Sequence, residues 1–233
     1  MGLNYQQQMQ LKRWLNKPFI TYALVAIEVL VFVIGWLLPS LNLVYSGGMS
    51  RYAIIEFHQY WRFVTPMFLH FNLEHIVFNM IVLYFLGRQI EMLFGHGRFL
   101  AIFFFSGLLG NVFSFAFNNP NVLSAGVSTA NMGLFGAFLV FGYHFRNNPA
   151  VSVMMRNFIL LVFLNLISGL FINVDFYGHL GGLLGGALTA AIIALPKNRG
   201  NFSIHLRIIS GVIFIFLCII CVLVALKSSG LLV

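Results

Sequence analysis

The 233-residue sequence predicts an all-α fold, a polytopic membrane helix bundle, on three observations. Hydrophobic residues make up 60% of the chain and charged residues 8%, and the mean hydropathy is +0.93. One soluble domain of this size cannot bury so much apolar surface, so the bilayer has to serve as part of the solvent. Apolar stretches of about 20 residues, enough to cross a hydrocarbon core of roughly 30 Å, recur seven times along the chain. Alternation of period two over short segments, which a membrane barrel requires, is absent.

The first 17 residues are polar and basic and are expected to form a cytoplasmic N-terminal segment. The apolar stretch at 18–38 is too long for a signal-peptide core and has no small-residue cleavage site, so it reads as an uncleaved anchor. Within it, Glu28 is expected to be protonated or hydrogen-bonded against the bundle, because a lone carboxylate at that depth is expensive. Residues 39–64 are too polar to cross, yet Tyr52, Ile54, Ile55, Phe57, Tyr60 and Trp61 are too apolar for a free loop. They suit the outer interface, with Trp and Tyr at headgroup depth. Further spans are expected at 65–87, 98–117, 127–145, 153–172, 176–196 and 206–226. Cys218 and Cys221 fall in the last of these without a His or acidic companion, which favours packing over metal or redox chemistry.

Basic residues collect where a chain stays cytoplasmic. With the N-terminus inside, Lys12, Arg13, Lys17, Arg88, Arg98, Arg146, Arg156, Lys197, Arg199 and Arg207 lie inside, against Arg51, Arg62 and Lys227 outside. This predicts a multi-pass protein of the cell membrane with the N-terminus cytoplasmic and the C-terminus extracytoplasmic. The net charge of +8 then reflects topology and anionic lipid headgroups, and nucleic-acid binding is not expected.

Polar side chains inside spans are candidates for function. In His70-Phe71-Asn72-Leu73-Glu74-His75-Ile76-Val77-Phe78-Asn79, His75 and Asn79 fall about 40° apart on a helix of 3.6 residues per turn, while His70 lies about 140° from His75 and faces elsewhere. Two readings fit that pair: a polar contact between helices, or two donors to a single anionic oxygen. Glu74 beside His75 reads as a solvated charge. In the fourth span Ser128, Met132, Phe135 and Leu139 share one face, and Ala130, Gly133 and Ala137 form a small-residue stripe opposite. Gly126 and the preceding Asn-Pro-Asn turn place Ser128 at the first helical turn, where free N–H groups can meet an oxyanion. In the sixth span His179, Gly182 and Gly186 share a face suited to close approach, expected to meet the small face of the fourth. Ser128 and His179 fall near the outer ends of their spans. A serine is activated by an imidazole at the same depth, with the Ser128 N–H, His75 and Asn79 available as donors to the oxyanion.

These motifs resemble the rhomboid family of intramembrane serine proteases, whose second span carries H-x-x-x-x-H-x-x-x-N, fourth G-x-S-G and sixth A-H-x-x-G-x-x-x-G. The resemblance covers about 18–196 and implies a six-helix protease core there, with 197–233 as a seventh transmembrane helix and short outer tail. It implies a Ser128–His179 dyad, an oxyanion hole at His75 and Asn79, and an active site opening to the extracytoplasmic side. It gives structural support to Trp61-Arg62, to Glu91 within G-x-x-x-E, to His70, and to Gly126, Met132, Gly133, Gly182 and Gly186. Thr129 stands where the family has glycine, Gly178 where it has alanine, and Met132 where an aromatic often stacks on the histidine. The implied activity is endoproteolysis of transmembrane protein substrates within the lipid bilayer, with no metal, nucleotide or other cofactor.

Other classes are weaker fits. An acid at Asp175 orienting His179 would make a triad, but the family uses a dyad, and Asp175 also marks the outer boundary of the sixth span. A transporter would show inverted repeats with interrupted helices. A His-ligated metal or haem site would draw on His70, His75 and His179, but H-E-x-x-H is missing. A catalytically inactive membrane chaperone of the same family would not need the intact Ser128 and His179.

Overall fold

The computed structural model describes residues 17–156, 159, 175–196 and 202–231, and among these the chain is helical with no strand. Among the described residues, five helices are long and apolar enough to cross a bilayer: α1 (Phe19–Leu37), α4 (Leu73–Phe94), α5 (His96–Phe117), α7 (Phe176–Ile193) and α8 (Ile204–Ser228). Between α1 and α4 run two short helices, α2 (Leu43–Gly47) and α3 (Arg51–Phe57). α6 (Ser128–His144) has 17 residues, about 25 Å at 1.5 Å per residue, and is buried over most of its length. The expected span at 153–172 lies largely outside the described residues, as does the N-terminal segment up to 16.

The centre of the bundle is α5, α6 and α7, packed against one another along most of their lengths. A Cβ on Gly186 would fall on the Gly133 carbonyl, and one on Gly182 on the Thr129 carbonyl, so α6 and α7 touch backbone to backbone. The expected meeting of the two small faces is present. Without a hydrophobic drive between helices in lipid, such approach supplies the packing energy.

α8 lies against α5 and α7 and buries only Ser210, Cys221 and Ala225 of its own residues. Cys221 packs with Leu109, Val112 and Phe113, and both cysteines are free thiols. α1 meets α4 most closely near the N-terminal end of α1, where a π-type turn at Leu83–Gly87 brings Gly87 against Thr21. Glu91 closes that joint by accepting from Ile20 N (3.0 Å), Thr21 N (2.7 Å) and Thr21 Oγ1 (2.6 Å), and it contacts His96 as well. The carboxylate thus satisfies orphan N–H groups at the start of α1 and meets the positive end of its dipole.

The second span begins later than the sequence suggests. Residues Thr65–Phe68 form a separate short turn with Pro66 as its second residue, and the helix starts at Leu73, where Asn72 Oδ1 accepts from His75 N at 2.8 Å. Proline lacks the donor that a continuous helix needs, and asparagine is a strong N-cap. The span then runs to Phe94 instead of ending at 87.

The segment between α1 and α4 is pinned by two buried arginines. Arg62 donates to Gln59 Oε1 (2.7 Å) and to the Gly48 carbonyl, while Trp61 Nε1 reaches the Ser46 carbonyl at 3.4 Å. Arg51 donates to the carbonyls of Phe115 (2.7 Å), Ala116 (2.8 Å) and Asn118 (2.7 Å), and to Ser228 Oγ (3.0 Å). One guanidinium therefore caps the end of α5 and holds the end of α8 to it. Burial lowers the pKa of both guanidinium groups from their usual value, and the carbonyls facing them supply the missing solvation.

Candidate active site

Three elements converge where α6 begins. Ser128 is its first residue and is partly exposed, and no side chain caps the helix there. α4, α7 and α8 differ, since Asn72, Asp175 and Ser203 occupy the corresponding donors. The first-turn N–H groups of α6 thus form a partial positive pole with no side-chain cap.

Gly126 sets the approach. Its φ of 134° excludes other residues, and its N–H donates to the Pro66 carbonyl at 2.8 Å. A Cβ on Gly126 would lie 2.8 Å from His75 Nε2 and 3.4 Å from Ser128 Oγ. The imidazole edge and the hydroxyl therefore flank the same point in space. Phe71 stacks on His75 with ring centroids 5.9 Å apart, and His70 meets it edge-on at 5.1 Å.

That last contact corrects the helical-wheel expectation for His70. The helix starts at Leu73, so the 3.6-residue rotation does not apply before it, and the loop folds His70 back onto His75. His70 also faces the buried carboxyl of Glu28 at 3.8 Å. This is the neighbour of Glu28 that sequence reasoning left unnamed.

Asn79 is buried, with its Nδ2 donating to the His75 carbonyl at 2.9 Å and its Oδ1 accepting from Asn131 Nδ2 at 3.1 Å. One of its two amide hydrogens is thus committed within α4, and the other is what it has for a further acceptor. Asn131, one turn after Ser128, was missed by the sequence reading; an asparagine among the apolar residues of α6 was the available signal.

His179 sits across the contact between α6 and α7. The residue is 3% exposed, and neither ring nitrogen has a hydrogen-bond partner among the described residues. Gly182 packs on the Thr129 carbonyl, and the Gly178 carbonyl and the Thr129 side chain both lie against Gly110, which levels His179 with the start of α6. Asp175 accepts from Gly178 N at 2.7 Å and serves as the cap of α7, so it does not orient His179 as a triad acid would. Met132 is 2% exposed in the core beneath Ser128, and Thr129 fills the narrow space against Gly110 and Gly182.

Comparison with known proteins points the same way. The Rhomboid domain family matches residues 57–196. The chain is 34% identical over 209 residues to the Rhomboid protease GluP of Bacillus subtilis (strain 168), covering 88% of this chain and 40% of that one. It is 32% identical over 142 residues to the Putative rhomboid protease YdcA of the same organism, covering 60% of this chain and 71% of that one. RHOMBOID-like protein 1 of Arabidopsis thaliana is 30% identical over 167 residues, covering 70% of this chain and 42% of that one. The chain thus spans about two fifths of the length of GluP and of the Arabidopsis protein. A family match over more than half of the residues, on a multi-pass helical bundle, places the chain in the rhomboid family.

Proposed function

We propose that the protein is an intramembrane serine endopeptidase that cleaves other membrane proteins within or beside a transmembrane segment. The observation that supports it most is the convergence of Ser128 Oγ and His75 Nε2 on Gly126, at the uncapped start of α6. Ser128 Oγ attacks the scissile carbonyl carbon while His179 takes the hydroxyl proton. The oxyanion is met by the Ser128 N–H, His75 and Asn79. His179 then returns the proton to the leaving amine, and a water molecule, deprotonated by the same imidazole, hydrolyses the acyl-enzyme. Neither His179 nitrogen has a hydrogen-bond partner among the described residues, which leaves the base free for this exchange; in apo enzymes such contacts often tighten only with substrate. The excess of basic residues on one side supports an N-terminus in the cytoplasm and a site open to the extracytoplasmic face.

The test is labelling of purified protein by a fluorophosphonate in detergent or liposomes. Wild type labels, and Ser128→Ala and His179→Ala do not, with all three folded by thermal melting. An unlabelled, folded wild type would overturn the proposal in favour of a non-catalytic member of the family.

A further inference from the structure

Among the described residues, Glu28 and His70 are buried ionisable side chains that the proposed chemistry does not use. Both side chains have zero solvent exposure, and their closest polar atoms, Oε2 and Nδ1, are 3.8 Å apart. All four of their polar side-chain atoms are without a hydrogen bond among the described residues. Hydrocarbon would fill the same space on α1 without that cost, since α1 is apolar on either side of Glu28 from Ala23 to Leu37. A buried acid kept in such a place calls for a role.

The arrangement supplies one. His70 meets His75 edge-on at 5.1 Å, Phe71 stacks on His75, and the His75 edge faces Gly126 beside Ser128. Glu28, His70, His75 and Ser128 therefore form a continuous line from α1, through the loop before α4 and α4 itself, to the start of α6. Closure by about 1 Å turns the Glu28–His70 contact into a charge-assisted hydrogen bond.

We propose that Glu28 is a positioning residue: through His70 it sets the ring orientation of His75 at the oxyanion side of Ser128. Its consequence for catalysis rests on the serine-protease function proposed above. The other titratable groups toward this line are His75 on α4 and His179 on α7. Asp175 is engaged at the cap of α7, Glu91 at the start of α1, and Glu74 is exposed.

The experiment compares wild type, Glu28→Gln, Glu28→Leu, His70→Gln and the Glu28→Gln/His70→Gln double variant. It records kcat and KM on a transmembrane peptide across about pH 5 to 9, and the ring-nitrogen resonances of 15N-histidine-labelled protein. In Glu28→Gln and Glu28→Leu the His75 resonances move. kcat falls about tenfold with KM within about twofold, the acid limb of the pH profile shifts, and the double variant is no worse than the worse single one. Unmoved His75 resonances in a folded Glu28→Leu protein would overturn the proposal. So would a fall in activity that is uniform in pH and matched by lost thermal stability, which marks a purely structural role. Failure of the protease function is distinguishable, because it shows as a wild type without Ser128-dependent cleavage whatever the resonances do.

Discussion

Where α6 crosses α7, backbones touch, and where α1 faces α4 they stand apart. The first region is built from Gly133, Gly182 and Gly186, with no room for a Cβ. The second is a groove of about 1210 Å³, walled by residues such as Val29, Phe32, Gly35, His70, Val77 and Met80. In lipid, close packing is what a helix pair gains over its separated state. Ser128 and His179 accordingly sit at the contact that cannot shift, while α1 is retained by a polar joint at its end, Glu91 on Ile20 and Thr21. Geometry that must be held to fractions of an ångström is placed on glycine contacts, and a helix that only needs attachment is placed on hydrogen bonds.

Substitutions can break this contrast or sharpen it. The largest effect is expected for Gly186→Val, whose side chain has nowhere to go but the Gly133 backbone. The cost should reach at least about 3 kcal/mol, seen as loss of folded protein by size-exclusion chromatography and thermal melting. Next comes Glu91→Ala, which strands buried donors at the start of α1 and should cost about 3 kcal/mol. Retention of the wild-type melting midpoint would mean that the polar joint does not hold α1.

Arg51→Ala should cost about 2 kcal/mol by stranding the carbonyls at the end of α5. It should also speed thiol labelling of Cys221, because the Ser228 tie on α8 goes with it. Arg51→Lys should not rescue, since one ammonium cannot span the four oxygens. The smallest effect is expected for Gly35→Val. Its Cβ meets only the Leu43 side chain at 3.3 Å on the wall of the groove, so the midpoint should move by less than about 1 kcal/mol equivalent. Equal losses from Gly35→Val and Gly186→Val would abolish the distinction between seam and groove.

Some features were readable because they repeat along one element or are spelled in a short motif. The apolar runs, the small faces of α6 and α7, and the place of Ser128 at a helix start are of this kind. The second span was misplaced because hydropathy does not register a cap, and Leu69 and Phe71 are apolar without being helical. The error carried over to His70, whose rotation was computed on a helix it does not join. Arg51 was legible only as a positive charge outside the membrane. Its four partners come from α5, the turn after it and the end of α8, at sequence separations up to 177 residues.

The sequence by itself determined that this chain is a multi-pass helical membrane protein and which residues match the motifs of the rhomboid family. Hydropathy and short-range spacing are properties of neighbours along the chain, and both survive without a fold. Only the tertiary structure decided that Glu28 faces His70, that His70 lies on His75, that Asn131 holds Asn79 and that Asp175 is a cap. Each of those contacts depends on how helices cross and where they start, and a shift of one helical turn, about 5 Å, would exchange every partner.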